Sequence, residues 1–405
     1  DGQCDIGDVD LALNAGANLI SFFALPEDGD YSVGNIFGPL NENAIKIFGE
    51  SSVALQLGDG SWVGSLTDVS DDDGYWLITA DADVLEVQGL PTAPVSYSAN
   101  EGNNLFSYPH LYSQGIAEGL DGTTADGNVL AIYGEGGMTA LVDGEWYGSI
   151  TGFEGGSGYW FVASSSFNNF EYNVPTGTAA RLAHTLPEVP ENLSFNQSVH
   201  QYFYMISDAS VAGYELNTGD WIVAYNDDVV VGARQYKSGQ MIDLPIMGQM
   251  TDTDTRDVND LTSGYCKPGD IPTIKVHRTN GEIIEMVVTS NDGSSVEYQS
   301  IGHTFVTLSD IVLPNTVSLH DAYPNPFNPS TTISYNVPSD MNVNLSVYDL
   351  RGRLVAELVN GFHEARGVSD PYMAVWNADM QSSGIYFVRL TAGTTVQNQK
   401  IMLIK

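Results

Sequence analysis

Four carboxylates crowd one short stretch of this 405-residue chain: Asp252, Asp254, Asp257 and Asp260 stand among Thr251, Thr253, Thr255 and Asn259, with only Arg256 to offset them. Anions this close repel one another unless a hard cation draws them together, and calcium takes about six to eight such oxygens. Asp1, Asp5 and Asp8, with Gly2 after the first, return to the theme at a spacing that would gather three carboxylates around one ion. These seven residues are the candidate calcium ligands. The competing readings are a solvated loop for the first group and a frayed acidic terminus for the second. Asp71, Asp72 and Asp73 before Gly74 read as a charged turn. Cys4 and Cys266 are the two cysteines of the sequence, in neither a zinc-ligand nor a redox spacing. They are a candidate disulfide, joining two parts of one chain or two chains.

Trp62, Trp76, Trp146, Trp160 and Trp221 have the flat faces and nearby carboxylates that stack on sugar rings, but large aromatics also dominate burial in small β units. Their recurrence in related segments favours a shared core role. No Gly-x-Ser-x-Gly elbow, His-Glu-x-x-His pair, phosphate loop or nucleotide fingerprint is present, and the seven histidines are scattered. The expectation is a protein that is not an enzyme. The alternative is a glycoside hydrolase accessory or an undetected hydrolase, since a pair of hydrolytic carboxylates is spatial and leaves no local trace.

The net charge of -37 is spread unevenly. Residues 1–180 hold 26 acidic groups against Lys46 alone, whereas 315–405 nearly balance at 7 acidic and 6 basic. Such a front half repels nucleic acid and anionic lipid, attracts divalent cations and keeps crowded copies soluble. No run of about 18 apolar residues is present, so no transmembrane helix is expected. An export leader is expected to have been removed.

The elements that must position these residues are short strands. Glycine (42), tyrosine (21) and many Asn, Ser, Thr and Asp residues suit tight turns between strands, so the fold class is all-β. The length allows about three or four domains. Self-comparison reveals a duplication. Gly16-Ala17-Asn18-Leu19-Ile20-Ser21-Phe22 returns as Gly102-Asn103-Asn104-Leu105-Phe106-Ser107-Tyr108, and Ile45 to Glu50 returns as Leu130 to Glu135. Asp59-Gly60-Ser61-Trp62-Val63-Gly64-Ser65 returns as Asp143-Gly144-Glu145-Trp146-Tyr147-Gly148-Ser149, and Gly74-Tyr75-Trp76 as Gly158-Tyr159-Trp160. Each Asp-Gly step favours a two-residue hairpin with the Trp on the returning strand. A weaker third copy begins near Thr218-Gly219-Asp220-Trp221. The expected layout is a stub at 1–14, repeats at 15–98 and 99–173, a connector at 174–192, a diverged third β domain at 193–314 and a terminal domain at 315–405.

The C-terminal segment opens with Ala322-Tyr323-Pro324-Asn325-Pro326-Phe327-Asn328-Pro329 and continues through Val347-Tyr348-Asp349-Leu350-Arg351-Gly352, Trp376, Ser383-Gly384-Ile385-Tyr386-Phe387 and a Lys400 to Lys405 ending. This ordered set resembles the sorting domain of type IX secretion cargo, an immunoglobulin-like module related to the flagellar-hook-cap type. The resemblance implies recognition of 315–405 by outer-membrane secretion machinery and a place outside the cell, or on the surface, of a Gram-negative type bacterium. Residues 1–8 also resemble the back half of a dockerin-type calcium loop. The full expectation is tandem β-sandwich or barrel-like units with a terminal immunoglobulin-like sandwich, forming a structural or adhesive surface protein that self-associates, with calcium as ligand. A glycan-binding module attached to polysaccharide is the rival. Leu19 to Leu25 is a candidate donor strand for assembly, or else an ordinary internal strand.

Overall fold

The computed structural model describes residues 7–176, 188–211, 214–250, 261–310, 314, 316–368 and 371–405. These are almost entirely β-strand, arranged in several discrete sheets. Among them no helix is long and apolar enough to cross a membrane. The chain divides into two compact units, Asp1–Ser309 and Asp310–Lys405.

The first module of the larger unit contains β1 (Gly7–Leu13), β2 (Gly16–Ile20), β3 (Ala24–Leu25), β4 (Ala44–Phe48), β5 (Val53–Gln56), β6 (Trp62–Gly64), β7 (Tyr75–Thr79) and β8 (Asp83–Pro91). The stretch 7–13, expected as part of a stub at 1–14, pairs along its whole length with β8, and Leu11 and Leu13 enter the first core. Leu19 to Leu25 is likewise internal: every residue of it is buried, so it is no free donor strand.

The second module holds β9 (Tyr97–Ala99), β10 (Gly102–Phe106), β11 (Gln114–Gly115), β12 (Val129–Gly134), β13 (Gly137–Val142), β14 (Glu145–Gly148), β15 (Gly152–Phe153), β16 (Tyr159–Ala163) and β17 (Phe167–Phe170). Its main sheet runs β10-β16-β12-β13-β14, and that of the first module runs β2-β7-β4-β5-β6. Matching strands stand in matching places. Even the register slips agree, at Ala44/Lys46 in one sheet and Val129/Ala131 in the other.

The motif glycines explain themselves here. Gly64 and Gly148 lie against the preceding strand so closely that an added Cβ would sit 2.0 Å from Val53 O or 2.1 Å from Met138 O. The Asp-Gly turns differ. Asp143 and Gly144 both take positive φ, the two-residue hairpin expected, but in the first module the turn widens to span Leu57 to Ser61. An aromatic cluster fills the second core, with Tyr97, Phe106, Tyr108, Phe153, Phe161, Phe170 and Tyr172 in mutual contact.

The third module is built of β18 (Gln201–Val211), β19 (Tyr214–Glu215), β20 (Trp221–Asn226), β21 (Val229–Gln235), β22 (Ile242–Met247), β23 (Thr273–His277), β24 (Ile283–Ser290) and β25 (Ile301–Asp310). These form one partly curled sheet in which β18 pairs parallel with β25 and antiparallel with β22. Its order is not that of the first two modules, so the local likeness around Trp221 is not accompanied by the same arrangement of strands.

The C-terminal unit has a three-stranded sheet, β26 (Ser318–Leu319), β27 (Ser330–Asn336) and β30 (Tyr372–Asn377), and a four-stranded sheet of β28 (Met341–Asp349), β29 (Leu354–His363), β31 (Gly384–Ala392) and β32 (Thr395–Leu403). Both contribute to one core around Trp376, Ile333, Leu345 and Val388. The proline-rich opening leads into this core through Phe327, whose ring lies 5.4 Å from that of Trp376.

Candidate functional site

Most of the candidate metal ligands, Asp1, Asp5, Asp252, Asp254, Asp257 and Asp260, lie outside the described residues, as does Cys4. Asp8 is placed only as a backbone position of β1. Among the described residues no group of three or more His, Cys, Asp or Glu side chains could hold a metal ion. Cys266 is buried in the third core, no described cysteine stands beside it, and burial together with the charge of Asp270 pushes its thiol up to about 12.

The tryptophans separate by environment. Trp76 and Trp160 pack where the modules meet, and Trp221 joins a small apolar cluster with Leu193 and Val223. Trp62 and Trp146 are half-buried on the returning strands β6 and β14. A core role therefore describes Trp76 well and Trp62 only in part.

The most elaborate polar construction among the described residues is the junction of the first two modules, where several contacts are answered by a counterpart from the other module. Leu19 N–H donates to Glu135 Oε2 (2.9 Å), and Leu105 N–H donates to Glu50 Oε2 (3.1 Å). Ser21 N–H meets Gly156 O at 2.8 Å, and Ser107 N–H meets Asp72 O at 3.1 Å. The Ser21 hydroxyl donates to Ser157 O (2.7 Å), and the Ser107 hydroxyl to Asp71 O (2.6 Å). Bridges Ile20 to Ser157 and Phe106 to Asp73 complete the pairs. This is the reciprocity of a two-fold interface, where one patch is self-complementary, written within a single chain.

Around this junction the acids are perturbed. Burial raises the Asp73 carboxyl to about 6, helped by the charges of Asp72, Glu50 and Asp71. Glu135 lines a cleft of about 250 Å³ with Leu19, Glu154, Ser157 and Tyr159. Desolvation raises its pKa to about 7, against the hydrogen bonds from Leu19 N–H and the Asn14 side chain, which lower it.

The turn that carries Glu135 is also held from the other side. Gly136 N–H donates to Gln201 Oε1 (3.2 Å), Gln201 Nε2 donates to Gly134 O (2.7 Å), and Arg234 Nη2 donates to Gly136 O (2.7 Å). Asp243 Oδ2 accepts from Met138 N–H (2.9 Å) and the Ser149 hydroxyl (2.6 Å), with Arg234 Nη2 at 3.4 Å. Tyr133 OH also meets His303 Nδ1 at 2.8 Å. One turn thus ties three modules together. Sequence reasoning passed over Glu50 and Glu135 as linking groups, although their shared place after Gly49 and Gly134 in the repeat was the available signal.

What these contacts can do is hold strand modules rigidly, and the source of the chain's export lies at its other end. Residues 321–405 match the secretion system C-terminal sorting domain. No curated protein matches the chain. Among solved structures, dimeric latent PorU from Porphyromonas gingivalis aligns with 98% of this chain and 30% of its own at 11% identity and a TM-score of 0.18. The BSP domain of a biofilm associated protein aligns with 99% of this chain and 64% of its own at 8% identity and a TM-score of 0.15. The chain thus spans less than two thirds of each, and neither score carries a fold. Residues 321–405 are a secretion system C-terminal sorting domain, the signal of type IX cargo, and the chain is an exported protein.

Proposed function

We propose that this is a non-enzymatic structural or adhesive protein of the cell exterior, its front modules serving as a rigid body and its copies assembling as filament subunits. The observation that carries the reading is the reciprocal junction of the first two modules together with the turn at Gly134 to Met138 that binds the third. Satisfied backbone contacts of this kind resist relative movement of modules, which a spacer or filament needs and a lone binding domain does not. The matching sheets support an origin by duplication of one unit. The three-plus-four strand arrangement around Trp376 supports an immunoglobulin-like sandwich for the terminal unit. The ten-residue strand β29 lies at the edge of its sheet and exposes Leu354 and Phe362, a place where another copy's segment would add by backbone hydrogen bonding. Light scattering and electron microscopy of the full chain with calcium present test the reading: elongated multimers are expected, and strictly monomeric particles at high concentration would refute assembly. Glycan binding is a second reading, favoured by the incomplete burial of Trp62.

A further inference from the structure

The outer end of the first module's hairpin holds a hollow of about 460 Å³ lined by Trp62, Gln56, Asn41, Glu42 and Asp59, with Gly34 at its side. One side of the Trp62 indole packs against Phe37, ring centroids 5.9 Å apart, and the half-buried remainder borders the hollow. Gln56 stands directly opposite Trp62 in the ladder between β5 and β6, so both side chains rise from the same face of the sheet. Gln56 is only 3% exposed, yet among the described residues none hydrogen-bonds its side-chain amide. Its polar atoms are not sealed from solvent, so the hollow is where the amide finds its partners, from water or from a ligand that displaces water. The second module removes this feature: at the equivalent rung, Trp146 faces Leu141, and that position is apolar. The polar rung therefore belongs to the first module and is not required by the shared fold.

An aromatic face beside an amide and two rim carboxylates is chemistry for a polyhydroxylated ring, with apolar C–H faces for the indole and hydroxyls for the polar groups. None of the described lining residues is basic, and the first 180 residues carry 26 acidic groups, so an anionic sugar is repelled. We propose that the Trp62–Gln56 hollow binds a neutral saccharide unit, its ring stacked on the indole and its hydroxyls bonded to the Gln56 amide and the rim acids. This rests on the adhesive reading above, to which it gives a ligand class.

The test is isothermal titration of the full chain with cellotetraose, xylotetraose, maltotetraose and chitotetraose, with tetragalacturonate as the anionic comparison. At least one neutral tetrasaccharide is expected to bind and tetragalacturonate to bind none. Gln56→Leu, which copies the second module, and Trp62→Ala are each expected to weaken binding by about tenfold or more, while Trp146→Ala stays within about twofold. Gln56→Leu decides the matter, because it preserves the packing that Trp62→Ala disturbs. Undiminished binding in Gln56→Leu, or no neutral tetrasaccharide binding at about 10 mM, overturns the proposal. A chain that forms multimers in light scattering and ignores all four sugars sinks this inference alone, and a monomer that binds them sinks only the filament.

Discussion

Single residues in this chain are constrained by approach distance more than by charge. Gly64 and Gly148 admit no Cβ, since the atom would fall about 2 Å from a carbonyl oxygen of the neighbouring strand. Gly64→Ala and Gly148→Ala are therefore expected to cost about 1–3 kcal/mol or more in denaturant unfolding, as overpacking does, with Gly60→Ala on the open turn costing less. Cys266 behaves in the opposite manner, sheltered by its surroundings. Burial pushes its thiol up to about 12, so native protein at pH 8 should resist iodoacetamide at this position and react there after denaturation. Rapid labelling of the native chain would contradict that burial. The same samples under non-reducing mass spectrometry test the proposed link to Cys4: two free thiols would dismiss it.

At the scale of the element, the turn Gly134 to Gly137 concentrates the energetics. Glu135 has a raised folded-state pKa of about 7 against an ordinary value of 4.5. Its contribution to stability is thus fully present below about pH 4.5 and lost as the pH rises through about 7. Glu135→Gln keeps an acceptor for Leu19 N–H and removes the ionisation. The variant should match the parent in melting temperature near pH 5 and exceed it near pH 8; equal pH profiles would show that the carboxyl is not desolvated. Asp243 and Arg234 hold the other side of this turn, both buried. Asp243→Ala strands the guanidinium and the Met138 N–H together, so a loss of about 3–5 kcal/mol is expected in the unfolding of the larger unit. A double variant with Arg234→Met should lose less than the sum of the two single changes, and strict additivity would show that the pair is not coupled.

For the whole molecule, charge is the organising property. Lys46, the one basic residue before position 181, is buried with its ammonium 4.3 Å from the centre of the Phe48 ring, so the sequence of the front half sets a single cation against 26 acids. We propose that calcium relieves this repulsion, with Asp1, Asp5, Asp8 and the 252–260 acids as its seats. Calcium at about a hundredfold excess over its dissociation constant should add about 2.7 kcal/mol to stability, and chelation should reverse it. An unchanged melting temperature in low salt would remove specific calcium sites from the account.

How much of this was legible in the sequence depends on the range of the contacts. The all-β class and the two matching sheets follow from Asp-Gly turns, recurring Gly-Ser steps and alternating strands, all of them local. The caps formed by Asn18 on Asn14 and by Asn104 on Asn100 show why those asparagines recur. β1 was hidden because acidic residues interrupt it and its partner β8 is distant in the chain. The parallel pairing of β18 with β25 and the Arg234–Asp243 pair were hidden for the same reason, since no spacing within a window records them. The Gln56 rung was in plain view as a mismatch with Leu141, but a mismatch acquires meaning only once the two strands are seen to occupy the same place.

The reciprocal junction also sets a clock. The partner of Leu19 N–H is made 116 residues later. At about 5–20 residues per second of synthesis, the nascent first module waits roughly 6 to 23 s with Leu19, Ser21 and Trp76 unanswered. Until Glu135 arrives, that self-complementary face is open to the corresponding face of any other nascent chain nearby. Crowded synthesis on one message therefore favours exchanged pairs, and a slow ribosome between positions 50 and 135 lengthens the interval in which they form.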